Sequence, residues 1–334
     1  MKKFFPLLIS GLVFLSGCST QVSLMVQRAP EINLKEIRTL NVKPFSVAGT
    51  LNLDLDNQAA TPQKMSDKKF ALEVVKLLLD VNDAKSAQSY IDKQHAEIQE
   101  THLRDLTKAI FRNGHFKVNN GNQYQAQLTG DINYDVQDVM ETQENKDKHG
   151  KVTVSYKLTR TANVAIQFNV LDSNGTMLGT TTVTTKTSDS TTAGDKSKAR
   201  KKTMDWPFLV KKAIAALHES TINKIAPYYI KETRTLAEGD MKLIKDGNKA
   251  AADNNWPTAI SLWQTVAKAG NNKDKAAALY NLSVYDELQG DFTHALDKAN
   301  KASSLHKQKR YTEQVQTLHR RIAEAKEVKE LLNK

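Results

Sequence analysis

The chain has 334 residues, 48 Lys and Arg against 37 Asp and Glu, a formal charge of +11, and 40% hydrophobic residues. That length and apolar content allow about two domains, each with its own core. A single cysteine excludes a disulfide framework and a cysteine-based metal cluster.

The N-terminus carries Lys2 and Lys3, then the apolar run Phe4 to Phe14, then Leu15-Ser16-Gly17-Cys18. A charged start, a short apolar stretch and small residues before a cysteine mark residues 1–17 as a signal peptide, too short to span a bilayer as a helix of about 20 residues. The run Leu15-Ser16-Gly17-Cys18 resembles a bacterial lipobox. The resemblance implies that Cys18 is acylated and becomes the first residue of the mature protein, joined to the membrane by lipid. Losing Lys2 and Lys3 with the signal lowers the formal charge from +11 to +9. Ser19 in place of an inner-membrane retention aspartate points to a periplasm-facing outer-membrane address, where nucleic acid is not an expected partner.

Residues 18–34 lack clean periodicity and contain Ala29-Pro30, which predicts a lipidated tether. A first domain is expected over 35–234. Ile37 to Phe45 alternates and stops at Pro44, as a strand does. From about Ser66 to Phe111 the spacing turns helical: Phe70, Val74, Leu77 and Leu78 form one stripe, and Ile91, Ile98, Leu106, Ala109 and Ile110 another. His115 to Val118 reads as a short strand. Tyr124 to Val136, Asn163 to Leu171 and Met177 to Thr187 read as extended segments, and Asp172-Ser173-Asn174-Gly175 supplies the turn of an antiparallel hairpin between the last two. Glu141 to Lys151 is polar enough for a long hairpin tip, and Ser188 to Lys202, without an apolar anchor, is expected to be mobile. Asp205 can cap a helix opening with Trp206-Pro207.

The blocks at Ile37–Phe45, His102–Asn120, Tyr124–Tyr134 and Ala162–Thr180 resemble those of the CsgG family of curli-secretion lipoproteins and their relatives, the TolB N-terminal domain and the penicillin-binding-protein activator lipoproteins. The resemblance implies an α+β fold, an α/β sandwich with a mixed sheet, acting by contact and bringing no catalytic residue. Residues 235–334 resemble tetratricopeptide repeats: Trp256 to Trp263 and Phe292 to Ala299 align about 36 residues apart, near the ~34-residue period, and 308–332 form one amphipathic capping helix. This second domain is expected to be all-α.

The titratable groups do not converge. His95 and His102 are seven residues apart but share the stripe of Ile91, Ile98 and Leu106, which favours partly buried histidines over metal ligands. There is no His-Glu-x-x-His pair, glycine-rich phosphate loop or Gly-x-Ser-x-Gly elbow, so neither catalysis, a metal, nor a cofactor beyond the lipid on Cys18 is expected. Two binding surfaces remain. Lys198, Arg200, Lys201 and Lys202, with Lys196, form the densest basic tract, a solvated linker or a contact for an acidic partner such as an anionic glycan. The tetratricopeptide resemblance places Asn248, Tyr280, Asn281 and Glu287 on a concave groove for an envelope protein or peptide, with Asn248 and Asn281 matching the asparagines of a carboxylate clamp and Ile244 standing where that clamp has lysine. Trp256 and Trp263 fall at repeat packing positions. The reading is an interaction scaffold, with a CsgG-like oligomeric transport subunit as the alternative; the charged and threonine-rich segments 138–160 and 181–203 lack the apolar band of a pore strand.

Overall fold

The computed structural model describes residues 19–54, 84–119, 121, 123–146 and 148–332. Cys18 and the stripe of Phe70, Val74, Leu77 and Leu78 lie outside these residues. The chain divides into two compact units: Ala29–Tyr228 with residues 330–332, and residues 19–28 with Tyr229–Lys329.

The α/β unit is built on a mixed sheet. Strands β2 (Thr39–Val42), β3 (Ser46–Asn52), β4 (Lys117–Val118), β5 (Ala126–Lys146), β6 (Val152–Asp172) and β7 (Met177–Ala193) run in the order β4-β2-β5-β6-β7, with β3 also on β5. β2 and β3 pair with β5 in parallel, and β5-β6-β7 form an antiparallel meander. The Asp172–Gly175 turn closes as its residues predict: the Asp172 carboxylate accepts from the amides of Asn174 and Thr176, both at 2.8 Å, and Gly175 takes φ +86°. Alternation sets the faces. Leu158, Ala162, Val164, Ile166, Phe168 and Val170 point inward, where Ile98, Leu106 and Ile110 of α1 (Ala84–Asn113) and Trp206, Leu209, Val210 and Leu217 of α3 (Trp206–Asn223) cover them. Asp205 caps α3, accepting from the Trp206 amide at 2.9 Å. The mixed α and β content, with helices following the sheet, is the α+β class.

The polar run Glu141 to Lys151 is the end of a long hairpin, as expected, with β5 continuing to Lys146 and β6 beginning at Val152, because an antiparallel ladder pairs backbone groups whatever its side chains. One expectation is corrected in this unit. The Ser188 to Lys202 stretch is ordered. β7 runs through it to Ala193, and α2 (Lys196–Lys202) follows, N-capped by the Asp195 carboxylate on the Lys198 amide at 2.7 Å and anchored by the buried Ala199.

The helical unit contains α4 (Lys242–Ala252), α5 (Trp256–Ala269), α6 (Asn272–Leu288), α7 (Phe292–Leu305) and α8 (Lys309–Leu332). Asn255, Asn271 and Asp291 cap α5, α6 and α7 with their side chains. Small residues let the helices approach: a Cβ on Gly247 of α4 would fall 2.5 Å from the Trp263 indole nitrogen of α5. The stretch expected as a tether is divided: residues 19–28 are part of this unit, and residues 29–34 belong to the α/β unit, where Ile32 and Leu34 are buried. Gln21–Arg28 forms strand β1, paired with β8 (Tyr228–Thr235) in a two-stranded sheet. Val22, Leu24 and Val26 are buried on alternate positions.

Candidate functional site

The asparagines expected to line a groove are already covered by the unit's own chain. From the end of β8 to the start of α4, residues Thr235 to Asp240 lie against α4 and α6. Leu236 and Ala237 are buried at 0% and 1% exposure. Asn281 accepts from the Ala237 amide at 2.7 Å and donates to the Ala237 carbonyl at 3.0 Å, and Asn248 donates to the same carbonyl at 3.0 Å. The two asparagines also bond each other at 2.8 Å, while the Trp263 indole N–H donates to the Asn248 oxygen at 3.2 Å. Tyr280 donates to the Thr235 carbonyl at 3.2 Å and Arg310 to the Leu236 carbonyl at 3.1 Å. Past Gly239, the Asp274 carboxylate accepts from the Asp240 amide at 2.7 Å. Glycine is required there, because a Cβ would meet Ile244 Cδ1 at 2.2 Å and Asp274 Oδ1 at 2.5 Å.

This arrangement reads backbone, not side chains. Asn281 matches both the donor and the acceptor of Ala237, and Asn248 adds a second donor to the carbonyl, so a segment presenting a free N–H and C=O there would be held the same way. Ile244 is fully buried and gives the groove no cation for a C-terminal carboxylate.

Glu287, the fourth residue expected on the groove, belongs to a buried ion network. Its carboxylate takes Arg234 at 2.7 Å, Gln314 at 2.8 Å and Arg321 at 3.5 Å. Arg321 also donates to Glu232 at 2.6 Å and Glu324 at 3.1 Å, and Arg28 of β1 bonds both Glu232 and Glu324. Three guanidinium groups therefore meet three carboxylates, which binds β1, β8, α6 and α8 together. Burial alone pushes the Glu232 carboxyl up, but hydrogen bonds from Arg321 and Arg234 override it and hold it down to about 2.

The basic tract does not form one uniform patch. Arg200 is turned into the fold, donating to the Asp54 carbonyl at 2.8 Å and its carboxylate at 3.1 Å. Lys198 pairs with its own cap Asp195 at 3.2 Å, Lys196 sits 5.7 Å from the Tyr156 ring, and Lys201 and Lys202 are exposed. The two helix histidines go separate ways. His95 bonds the Tyr134 hydroxyl at 2.8 Å, whereas His102 meets His218 of α3 at 3.1 Å inside the core. Burial, then the neighbouring His218, pushes His102 down to about 3.

Sequence reasoning placed Asn248, Tyr280 and Asn281 together and missed their occupant. A signal was available: Leu236-Ala237 followed by Gly239 is an apolar pair beside a close-approach glycine, directly before a helix.

A family model described as a domain of unknown function (DUF6340) matches residues 245–330, covering most of α4 to α8. No curated protein matches the chain. Among solved structures, a neuraminyllactose-binding hemagglutinin homolog from Helicobacter pylori is similar at 8% identity and a TM-score of 0.26, covering 59% of this chain and 89% of that one. A minor lipoprotein from Acinetobacter baumannii is similar at 17% identity and a TM-score of 0.17, covering 36% of this chain and 80% of that one. Among the described residues no helix is long and apolar enough to cross a membrane.

Proposed function

We propose that this protein is a lipid-anchored scaffold of the bacterial envelope, tethered to the outer membrane through Cys18, that acts by binding protein segments and not by catalysis. The observation that carries the reading is the clamp on Ala237: two buried asparagines hold both backbone groups of an extended segment. The resident strap, Thr235 to Asp240, is continuous with β8 and α4, so a partner segment reaches Asn248 and Asn281 by displacing it. The lipid is the only prosthetic group this reading needs.

The test compares capture from envelope extract by the full Cys18→Ser chain with capture by the same chain carrying Ala237→Pro. Proline removes the N–H that Asn281 accepts, so a weakened strap raises capture if partners use the groove. Capture that is insensitive to the strap but disappears on reversing Lys198, Lys201 and Lys202 to glutamate assigns contact to the basic helix and refutes the groove.

One observation favours the transport-subunit reading. β7 ends the sheet order with 17 residues and pairs only with β6 among the described residues, an edge that a second copy can extend. A ring of defined mass from the Cys18→Ser chain in native mass spectrometry would support it, and a monomer at all concentrations would remove it.

A further inference from the structure

We infer that the His306–Arg310 end of the helical unit is a membrane-apposed surface that receives anionic lipid headgroups. The inference rests on acylation of Cys18 and adds to it where the body meets the bilayer and by what chemistry.

Leu236 is held from both sides. Its amide donates to the Thr20 carbonyl at 2.8 Å, and its carbonyl accepts from Arg310 at 3.1 Å. Thr20 and the first turn of α8 are therefore pinned to one fully buried residue. Cys18 precedes Thr20 by two residues, and two residues span at most about 7 Å. From Thr20 the chain enters β1, whose far end is fixed when Arg28 bonds Glu232 and Glu324. A lipid on Cys18 would thus join the chain two residues before Thr20, which shares its fastening residue, Leu236, with Arg310.

The segment at that point is His306-Lys307-Gln308-Lys309-Arg310, three cations in five residues with no carboxylate among them. Lys307, Lys309 and Arg310 are exposed, and the Lys309 side chain is 90% exposed. The first turn of α8 holds no acidic residue, so the positive end of its helix dipole adds to the same potential. Two carboxylates flank the segment: Glu313, which pairs with Lys309 at 3.6 Å, and the exposed Glu238. The segment's three cations outnumber these two carboxylates, and a lipid anchor would multiply a weak attraction by confining it to the surface.

The test uses the full mature chain carrying Cys18→Ser, so that headgroup attraction is read without the lipid. Sedimentation with vesicles of phosphatidylethanolamine containing about a third phosphatidylglycerol should exceed sedimentation with uncharged vesicles and fall as salt rises. The double change Lys307→Glu with Lys309→Glu should weaken binding by about 25-fold or more, taking about fivefold per basic residue near an anionic surface. Reversing Lys326 and Lys329, about 25 Å along α8, should leave it unchanged. Equal binding to both vesicle types, or equal loss from either reversal, overturns the surface assignment. Mass analysis of the wild-type protein extracted from membranes reads the anchor separately. An unacylated Cys18 refutes the lipid anchor even if vesicle binding depends on Lys307 and Lys309, while an acylated Cys18 with insensitive vesicle binding refutes only the surface.

Discussion

Replacing Asn281 with alanine isolates the strap's hold on the groove. Three hydrogen bonds leave with the side chain. The two acceptors keep a partner each, because Asn248 still donates to the Ala237 carbonyl and Trp263 to the Asn248 oxygen. The Ala237 N–H is orphaned inside a site at 1% exposure, which costs about 1–3 kcal/mol. The void left by the amide adds about 1 kcal/mol at the usual cost per unit cavity volume. The strap is therefore expected to loosen by about 2–4 kcal/mol. Hydrogen exchange of the Ala237 amide in the full chain reads this locally, which matters because two units need not melt as one transition. At about 1.4 kcal/mol per tenfold, exchange should accelerate by roughly 30- to 700-fold. An acceleration below about threefold would show that the asparagines do not hold the strap and would refute the groove geometry.

Three further outcomes follow from buried charge. Arg321→Ala should destabilise the helical unit by about 3–5 kcal/mol, because Glu287 and Glu232 lose a shared partner in a buried setting; a chemical-denaturation loss under about 1 kcal/mol would contradict this. Glu232 titrates near 2 when folded, against an ordinary value of 4.5, so its contribution of about 3 kcal/mol is present above pH 4.5 and lost as pH falls toward 2; a Glu232→Gln chain should show a shallower acid limb in circular dichroism. His102, held neutral down to about 3 against an ordinary 6.5, disfavours the fold as pH drops below 6.5, since the unfolded chain takes up a proton that the folded chain refuses. His102→Phe, beside Phe45 and without the unpartnered Nε2, should narrow the difference in melting temperature between pH 7.5 and 5; an unchanged difference would clear His102 of that role.

Much of the fold was legible because periodicity reports burial. The inward residues of β6 and the apolar stripe of α3 are the alternating and helical patterns read from the sequence. The Asp172 turn and the Asp205 cap rest on local chemistry that needs no tertiary context. Failures came where tertiary context supplies the stabilisation. β1 alternates Val22, Leu24 and Val26, but the exposed Met25, at 66%, blurs that pattern. β8 carries Glu232 and Arg234 inward, which looks like a solvated strand until Arg28 and Arg321 are found opposite. Arg200 counted as free charge in the basic tract because Asp54, its partner, is 146 residues away.

The groove shows the same division with a consequence for function. Side-chain identity at Asn248, Tyr280 and Asn281 specifies what the surface can bind, an extended backbone, but not which backbone occupies it. That second question is settled by concentration. A segment joined at both ends to the groove competes at an effective concentration of at least millimolar order, so a partner segment present at about 1 µM must bind roughly a thousandfold more tightly than the strap to half-displace it. Leu236 and Ala237 set that threshold through their burial, and β1 raises it further by holding Leu236 to Thr20. A partner that first detaches β1 from β8 removes one of the strap's fastenings and lowers the required affinity. Partner capture through this groove should therefore be sensitive to the pairing of Arg28 with Glu232 and Glu324, residues no partner needs to touch: Arg28→Ala should raise capture if the strap is the gate, and leave it unchanged if contact is made elsewhere.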